Sequence, residues 1–343
     1  MPAVRVFLLT CRRPALLRRA LDSLLRQTMT DWVCELHNDA PDDETPGRLV
    51  AELSEPRIEL HQHERNWGAV AAMRHAYAGG PEPFASLLED DNWWEPNFLA
   101  AATTALAGCP DAAVAWANMR ISREESDHSW TDTGDVIWDD TAAGTGPREY
   151  RWPEIYQAFD ALHSHGAAVF RPSRFVPIPA VTPLSIIEPV RERAALGPLL
   201  FLPMPLAHFA VTRVTARSSD RVGWLQSKLL LSCSFFTRHP PEPALLAALW
   251  RVRRAQRPRD TAILFFTAIA LRRWNLLEGA VASDWVAFLR GVVRHPLTAL
   301  RGLRFRREHA ATWAWLLAHP LLDGGVSPEV RATVFAKHSG PIS

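Results

Sequence analysis

The 343-residue sequence has few cysteines and no excess of charge of either sign. Its four cysteines, at positions 11, 34, 109 and 233, form neither a Cys-x-x-Cys pair nor a Cys/His cluster. This spacing argues against a structural zinc site and a disulfide framework, and it favours reduced thiols in a cytoplasmic protein. The formal net charge of +1 offers no general attraction for nucleic acid, so we expect no nucleic-acid partner.

A long hydrophobic run is also missing. The apolar stretch at residues 4–10 is too short for a signal peptide and is followed at once by arginines, so we expect no export segment. The longest later run, residues 261–271, is well short of the ~20 residues that cross a bilayer. We therefore predict a cytoplasmic protein without a transmembrane helix. Its hydrophobic content of 48% is sufficient for a sizeable core.

The first 120 residues alternate between short apolar runs and amphipathic stretches. After the run at 4–10, leucines recur at helical spacing with arginines on the opposite face. Further strand-like runs lie at 32–39, 57–62 and 83–88, and the last two precede helix-like stretches. This alternation predicts an α/β fold with a mostly parallel sheet covered by helices on both faces.

The second half has a different composition. Polar, acidic and tryptophan-bearing segments between about 121 and 160 favour loops and short strands on the acceptor side. Strand-like runs return at 165–170 and 199–212, so we expect the same sheet to be extended. Beyond the proline-rich turn at 237–243 the pattern is helical, with basic patches. We predict a division into residues 1–120, 121–237 and 238–343.

Polar side chains follow three of the predicted strands: Thr10, then Asn38 with Asp39, then Glu89, Asp90 and Asp91. Ligands of open α/β sheets bind at the carboxyl edges of the strands, so these ends are expected to converge. One such end would more often be a helix cap or a solvated turn, but three in order favour a site. Mg²⁺ or Mn²⁺ typically takes one or two protein carboxylates and completes its shell with water and phosphate oxygens, which fits this sparse acidic set.

Two neighbouring features allow two interpretations each. Arg12 and Arg13 precede a helix start at Pro14, where the helix dipole disfavours cations, so they either face an anion or are solvated loop residues. Trp93 and Trp94 either line the site or anchor the core.

The ordered segments "VFLLTCRRPALLRRALDSLLRQ", "RIELHQHERNWGAVAAMRHAYAG" and "LLEDDNWWEP" resemble the opening half of a family 2 glycosyltransferase with the GT-A fold. The resemblance covers roughly residues 4–120 and is faint between about 160 and 215. It implies a Rossmann-like, mostly parallel mixed sheet flanked by helices, to which the pattern adds a helical C-terminal extension. It also implies inverting transfer from a nucleoside diphosphate sugar, with UDP or dTDP as carrier and Mn²⁺ or Mg²⁺ as cofactor.

The same resemblance implies roles for individual residues. Thr10, Arg13 and Asp39 would hold the base and ribose of the nucleotide sugar. Asp90 would contact the ribose, and Asp91 the metal ion.

This sequence departs from the family pattern at several positions. In "NWGAVAAMR" the nucleotide-sugar position Asn66 fits, but Met73 stands where the family has arginine. Arg74 is then expected to substitute as a phosphate or base contact, or else the donor preference differs. Arg12 stands where asparagine is usual in the family.

The general base is expected in "SIIEPVRERAALG", where the resemblance nominates Glu188 as catalytic. Pro189 replaces the expected aspartate, and a glutamate at this point can also serve only the helix dipole. His165 matches a position that can face the active site, whereas a single histidine on a strand is more often structural.

The acceptor is open: a polysaccharide, a lipid-linked glycan or a small molecule. Basic C-terminal helices could contact anionic lipid at the inner face of a membrane, although solvated helix faces around an apolar seam are the simpler interpretation. Two other functions stay open. One is a noncatalytic GT-A protein that binds nucleotide sugars as a scaffold. The other is a metal-dependent nucleotidyltransferase, which is disfavoured because "TCRRPA" contains no glycine.

Overall fold

The computed structural model describes residues 3–138, 146–151, 164–213, 221–255 and 260–318, which divide into two compact units. Unit 1 contains the described residues up to 180 together with 194–213. Unit 2 contains residues 181–193 and the described residues from 221 to 318. The chain therefore leaves unit 1 after residue 180 and returns to it at residue 194.

Unit 1 is built on a ten-stranded mixed sheet. Its strands are β1 (Val4–Thr10), β2 (Trp32–Asn38), β3 (Ile58–Gln62), β4 (Phe84–Glu89), β5 (Trp93–Trp94), β6 (Val114–Glu124), β7 (Trp130–Val136), β8 (Arg148–Tyr150), β9 (Ala168–Phe170) and β10 (Leu199–Val211). The order is β3-β2-β1-β4-β9-β6-β10-β5, with β7 beside β6 and β8 beside β10. The first four strands in this order pair in parallel, as do β6 and β10.

In the described part of unit 1, the helices that flank this sheet are α1 (Pro14–Leu25), α2 (Thr45–Leu53), α3 (Ala69–Ala78) and α4 (Phe98–Gly108). The leucine spacing predicted α1 because it places Leu17, Leu21 and Leu24 on one face, and all three are 0% exposed. Proline at the first position of α1 suits its fixed φ and missing N–H. The sequence pattern did not reveal α2, whose first turn carries Pro46 and Gly47. The predicted α/β class is confirmed.

Helices on both faces explain why β1 and β4 are apolar runs rather than alternating ones. Phe7 and Leu8 on β1 are both 0% exposed although they point to opposite faces of the sheet, and the same holds for Leu87 and Leu88 on β4. These two adjacent strands form the centre of the core and hold the polar residues at their carboxyl ends.

The later strands differ in detail from the expected ones. β6 extends to Glu124, so the expected boundary at residue 120 falls within a strand. In the run 165–170 only the last three residues form β9, because His165–Ala167 is a short 3₁₀-helix capped by the hydroxyl of Ser164. β10 keeps parallel pairing with β6 but shifts register around Pro205, which lacks the N–H that a ladder requires.

Unit 2 is helical. Its helices are α5 (Ile187–Ala194, whose last residue belongs to unit 1), α6 (Arg221–Arg238), α7 (Pro243–Ala255), α8 (Ala262–Leu271), α9 (Ala282–Arg294), α10 (Pro296–Gly302), α11 (Phe305–Glu308) and α12 (Ala310–Leu317). The structure differs here from the expected division at 238. Leu229, Leu230 and Phe235 of α6 are 0% exposed, and α6 packs against α8, so α6 lies in the helical unit.

The longest apolar run of the sequence forms α8, a core helix in which Leu264 and Ala268 are 0% exposed. Among the described residues, no helix combines the length and hydropathy needed to cross a bilayer. The following helix, α9, begins with a buried charged cap. Asp284 accepts a hydrogen bond from the N–H of Val281 at 3.0 Å and one from Arg254 at 3.0 Å.

Candidate functional site

Three strand ends meet at one edge of the sheet of unit 1. Thr10 at the end of β1 lies opposite Asn38 at the end of β2, and β4 ends beside Leu9. The N–H of Asp39 donates to the carbonyl of Thr10 at 2.9 Å, and the N–H of Asp90 donates to that of Leu9 at 3.2 Å. The ends singled out by the sequence therefore lie side by side, as predicted.

Asp90 is the most deeply buried carboxylate of this edge, with 4% of its surface exposed. Its Oδ2 accepts a hydrogen bond from the hydroxyl of Thr10 at 2.8 Å, and its Oδ1 accepts one from Arg13 at 3.2 Å. The pKa of Asp90 is raised to about 6, chiefly by burial and also by the charge of Asp91, while Arg13 and Thr10 act in the opposite direction. The site thus contains a carboxylate whose charge depends on its two partners.

Arg13 joins the two adjacent aspartates. The same Nη1 that contacts Asp90 donates to Oδ2 of Asp91 at 3.0 Å. Arg13 occupies the N-cap position of α1, where the helix dipole disfavours a cation, so the carboxylate pair compensates for this placement. The anion that we expected near Arg13 is therefore the pair of carboxylates of Asp90 and Asp91.

Asp91 is the more accessible of the two aspartates, with a side chain 26% exposed against 6% for Asp90. One oxygen of Asp91 binds Arg13, and the other meets no hydrogen-bond donor in the described part of the chain. A carboxylate oxygen that borders solvent is a suitable ligand for Mg²⁺ or Mn²⁺. The residues present therefore fit a divalent cation held by few protein ligands.

A tight turn brings both aspartates to the same edge. The N–H of Asn92 donates to the carbonyl of Glu89 at 3.1 Å, and its side-chain amide donates to the Glu89 carboxylate at 2.9 Å. Adjacent strand residues would otherwise point to opposite faces. The side-chain oxygen of Asn92 also accepts a hydrogen bond from the N–H of Ala210, which ties the turn to β10.

Arg19 is a further site residue, which the sequence pattern assigned only to the polar face of α1. Its Nη2 donates to the backbone carbonyl of Asp91 at 2.8 Å, and its guanidinium carbon lies 3.8 Å from the ring centroids of both Trp93 and Trp130. Burial lowers the pKa of Arg19 to about 10. Nε and Nη1 of Arg19 are buried without a hydrogen-bond partner among the described residues. Trp130 reaches Arg19 through the long-range pairing of β7 with β6. Local sequence patterns therefore gave no indication that Arg19 belongs to the site.

Trp93 has a second stacking partner on β10. The ring of His208 lies parallel to Trp93 with centroids 4.4 Å apart, and its nitrogens contact Glu95 at 2.9 Å and Ser122 at 3.1 Å. Trp94, in contrast, is 2% exposed and donates to the carbonyl of Gly166. Trp93 thus borders the site, and Trp94 anchors the core.

Asp39 is held by the loop that precedes α3. The N–H groups of Trp67 and Gly68 donate to its two oxygens at 2.5 and 2.9 Å, and the side-chain amide of Asn66 donates to its carbonyl at 2.9 Å. Gly68 adopts φ +80°, which only glycine reaches easily, so both N–H groups can point at one carboxylate. These hydrogen bonds fix the position of the Asp39 side chain. They also provide acceptors for backbone N–H groups at the start of α3.

The remaining predicted residues lie elsewhere. Arg74 is on α3, and its Nε donates to the carbonyl of Ile178 at 2.9 Å. His165 is 3% exposed, and its Nδ1 lies 2.7 Å from the hydroxyl of Tyr77. Glu188 lies in the first turn of α5, within unit 2. The roles assigned to these three residues stay predictions.

Known proteins resemble this chain in sequence and in fold. Residues 6–173 match the family model for glycosyl transferase family 2. WcaA of Escherichia coli strain K12, named as a glycosyl transferase of colanic acid biosynthesis, is 29% identical over 100 residues, which span 29% of this chain and 36% of that protein. The match thus covers about a third of that relative's length.

Solved structures extend the likeness to most of the chain. TarS 1–349 of S. aureus has a TM-score of 0.52 at 12% identity, and the likeness covers 92% of this chain and 90% of that one. The same protein in complex with UDP-GlcNAc gives a TM-score of 0.52 at 12% identity, over 91% of each chain. At this identity the likeness establishes a shared fold, and the predicted GT-A fold class is confirmed.

Proposed function

Residues 6–173 belong to glycosyl transferase family 2, and from that premise we propose that the protein transfers a sugar, with inversion, from a nucleoside diphosphate sugar to an acceptor hydroxyl. The observation that carries this proposal is the joining of Asp90 and Asp91 by Arg13 at the carboxyl edge of the sheet, beside Thr10 and Asp39. Open α/β sheets bind their ligands at such edges.

Each of these residues has a distinct role in donor binding. Asp39, oriented by the loop that carries Asn66, holds the base and ribose together with Thr10. Asp90 contacts the ribose. Arg13 contacts both aspartates, has a side chain that is 29% exposed, and provides positive charge for the nucleotide sugar.

Mn²⁺ or Mg²⁺ would be held by Asp91, with water and diphosphate oxygens completing its coordination. When bound, the ion neutralises the charge that accumulates on the leaving diphosphate. Arg19 acts as a positioning residue, since its guanidinium lies against the rings of Trp93 and Trp130 and donates to the backbone carbonyl of Asp91. Glu188 is proposed as the general base that removes the proton from the acceptor hydroxyl, and Arg74 as a further contact of the donor.

One observation favours a second function, that of a noncatalytic protein that binds nucleotide sugars. Met73 occupies the family's arginine position and is buried, while the guanidinium of Arg74 is engaged by the carbonyl of Ile178. A donor site that has lost a phosphate contact could bind without turnover.

We further propose that the acceptor is presented at an anionic bilayer, which the protein contacts through α9 and α10. Six apolar side chains on these helices are 43–79% exposed: Trp285, Val286, Leu289, Val293, Leu297 and Leu300. We call them the α9–α10 apolar face. Exposed apolar side chains are common one by one, but the spacing of four residues places Trp285, Leu289 and Val293 in a row on one face of α9, and such a row indicates a binding surface.

The charge beside this row supports a lipid surface as its partner. Six arginines lie between residues 290 and 307, at positions 290, 294, 301, 304, 306 and 307, with no acidic residue among them. On α9, Arg290 and Arg294 follow the exposed row around the helix, while Asp284 and Phe288 face the unit's core. An amphipathic helix with arginines next to an exposed apolar row is typical of binding to anionic lipid headgroups.

Thermal unfolding with a panel of UDP and dTDP sugars, with and without Mn²⁺, tests the donor. A saturating donor should stabilise the protein by ~2 to 3 kcal/mol, and the effect should need the metal. UDP-GlcNAc is the first candidate, because it is bound by a protein of the same fold. Release of nucleoside diphosphate then separates the enzyme from the binding protein. The absence of any shift with all donors would contradict the proposed function.

A further inference from the structure

A second cluster of metal-ligating side chains lies in unit 1, on the sheet face covered by α3. Glu35 and His37 are two residues apart on β2 and therefore point to the same face, where they meet His75 of α3. Faces of parallel strands that are covered by helices are normally apolar. His61 of β3 adds a ring stacked 4.9 Å from that of His37. A helix-covered sheet face with this many polar side chains is unusual, and it indicates that the side chains bind something.

The spacing of the three side chains matches a coordination shell. Oε2 of Glu35 lies 3.2 Å from Nε2 of His37 and 3.3 Å from Nε2 of His75, and all three atoms lie within 4.8 Å of one another. Two ligand atoms of a tetrahedral Zn²⁺ ion with bonds of 2.0–2.1 Å stand about 3.3 Å apart. We propose that Glu35, His37 and His75 form a binding site for a divalent transition-metal ion, with Zn²⁺ as the best fit.

Proton counting along the histidines supports a cation at this position. His37 Nδ1 lies 3.0 Å from His63 Nε2, and His63 Nδ1 lies 3.1 Å from Oδ1 of Asp39. Together with the Glu35–His37 contact, this makes three contacts that each need one proton, whereas two neutral imidazoles carry only two. A metal ion on Glu35 and His37 supplies the missing positive charge. Each histidine can then donate its one proton toward Asp39.

The outer contacts of these rings are of the kind that orients metal-bound histidines. A ligating histidine almost always donates its other N–H to a neighbouring acceptor, which sets its tautomer. Here His37 donates to His63, and His63 donates to Asp39, which the proposed function places in the donor site. The metal site itself rests only on the geometry of Glu35, His37 and His75 and stands without that function.

The net charge of the side chains around the cluster is favourable for binding a cation. Arg5 forms ion pairs with the other oxygen of Glu35 and with Glu82. One arginine against two carboxylates leaves one net negative charge beside the imidazoles of His37 and His75. The side chain of His75 is 36% exposed, so solvent and ions reach the cluster from the side of α3.

The ligand types select the metal. Imidazole nitrogens suit Zn²⁺, Co²⁺ and Ni²⁺, whereas Mg²⁺ and Mn²⁺ favour carboxylate and water oxygens. Three protein ligands leave a position for water or an added ligand. The proposed site therefore differs in its metal from the site at Asp91.

Titration calorimetry with Zn²⁺ and visible absorption with Co²⁺ test this proposal on the full-length protein. We expect one tight Zn²⁺ ion per chain and the intense Co²⁺ absorption of a four-coordinate site with nitrogen and oxygen ligands. His75→Gln should weaken Zn²⁺ binding about 100-fold and abolish the absorption, and His63→Gln should weaken binding about 10- to 100-fold through the loss of an outer hydrogen bond. Unfolding curves establish that both variants are folded, and Glu35→Gln provides an independent test of the same site.

Two control variants make the result specific. His128→Gln removes a histidine whose side chain is 77% exposed on a loop, and it should leave Zn²⁺ binding unchanged. Asp91→Ala should also leave Zn²⁺ binding unchanged while removing the metal-dependent effect of the donor, so the two proposals can fail separately. The metal site is refuted if the unaltered protein binds no Zn²⁺ or binds it no more tightly than His75→Gln. In that case an extra proton on the His37–His63 pair explains the contacts.

Discussion

The guanidinium carbon of Arg19 lies 3.8 Å from the ring centroid of Trp93, while its Nη2 donates to the backbone carbonyl of Asp91. A stacked, desolvated guanidinium gains ~2 kcal/mol from the ring. Burial has the opposite effect, since it disfavours the charged form and lowers the pKa of Arg19 to about 10. Because the two effects oppose each other, Arg19 contributes little net stability, and its main effect is to fix the position of Asp91.

Arg19→Met is therefore expected to change the free energy of unfolding by less than about 1 kcal/mol. It should nevertheless weaken metal-dependent donor binding about tenfold, which corresponds to ~1.4 kcal/mol. Denaturant unfolding and donor titration measure the two quantities on the same samples. Arg18→Met is the matched control, because the neighbouring Arg18 is 43% exposed and, among the described residues, forms surface ion pairs with Asp22 and Glu52. Equal effects of the two variants on donor binding would contradict the positioning role.

Asp91→Ala should abolish the part of donor stabilisation that depends on Mn²⁺ and leave the metal-independent part. The reason is that Asp91 offers the accessible carboxylate, whereas Asp90 is buried against Thr10 and Arg13. Thermal unfolding with and without donor and metal measures the effect. Asp42→Ala, at an aspartate 68% exposed in an ion pair with Arg12, should retain the full shift. A metal-dependent shift that persists in Asp91→Ala would mean that another group holds the ion.

Gly68→Ala should destabilise the protein by about 1 to 3 kcal/mol and weaken donor binding. The backbone there has φ +80° and ψ +151°, a region essentially reserved for glycine, although space exists for a methyl group. Relief of the strain would move the N–H groups that hold Asp39. Gly47→Ala, in α2 with its added carbon at ordinary contact distance from Leu60, should instead be neutral or stabilising by up to ~1 kcal/mol. Similar losses for both substitutions would exclude backbone strain as the cause.

Stability should depend on pH through His208. Burial lowers the pKa of His208, Glu95 opposes this change, and Arg120 adds to it. The folded state therefore binds this proton more weakly than the unfolded state, so the free energy of unfolding should rise with pH until it levels off above the unfolded pKa of about 6.5. Urea unfolding of the protein and of His208→Gln over about pH 5 to 8 isolates this contribution as the difference between the two slopes. Identical slopes would show that His208 is not the group responsible.

The α9–α10 apolar face should determine binding to anionic vesicles. Leu289→Glu combined with Val293→Glu should abolish sedimentation with vesicles that contain phosphatidylglycerol. It should change the free energy of unfolding by less than about 0.5 kcal/mol, since the two side chains are 55% and 79% exposed. Val252→Glu, at an exposed position on α7, is the control. If the double variant instead converts an oligomer into a monomer and vesicle binding is absent throughout, the face serves self-association and not lipid.

Local patterns in the sequence were sufficient for the strands and helices that surround the site. The strand run 4–10 matches β1 to the residue, because both faces of this strand are buried and the run is apolar throughout. Strand ends that follow such runs located Thr10, Asp39 and Asp90 on one edge. These inferences need only chain direction and the rule that parallel strands end together.

Features that depend on contacts between distant segments were beyond such reasoning. Arg19 becomes a site residue only because β7 brings Trp130 over it, a separation of more than 100 residues along the chain. His75 meets Glu35 only because α3 packs on that face of the sheet. The extent of unit 2 is a third example, since α5 and α6 are joined through contacts such as that of Arg193 with the carbonyl of Leu231.

The excursion of the chain into unit 2 between residues 181 and 193 limits how the protein can be shortened. A fragment that stops at residue 180 loses β10, the parallel partner of β6 along ten registered residue pairs. The backbone N–H and C=O groups of β6 that pair with β10 would then lack partners. This would leave an aggregation-prone strand edge at Ala115 and Trp116, which are buried in the intact chain. Ribosomal synthesis passes through this same unfinished stage, so transient chaperone protection of β6 would matter until residue 211 has emerged.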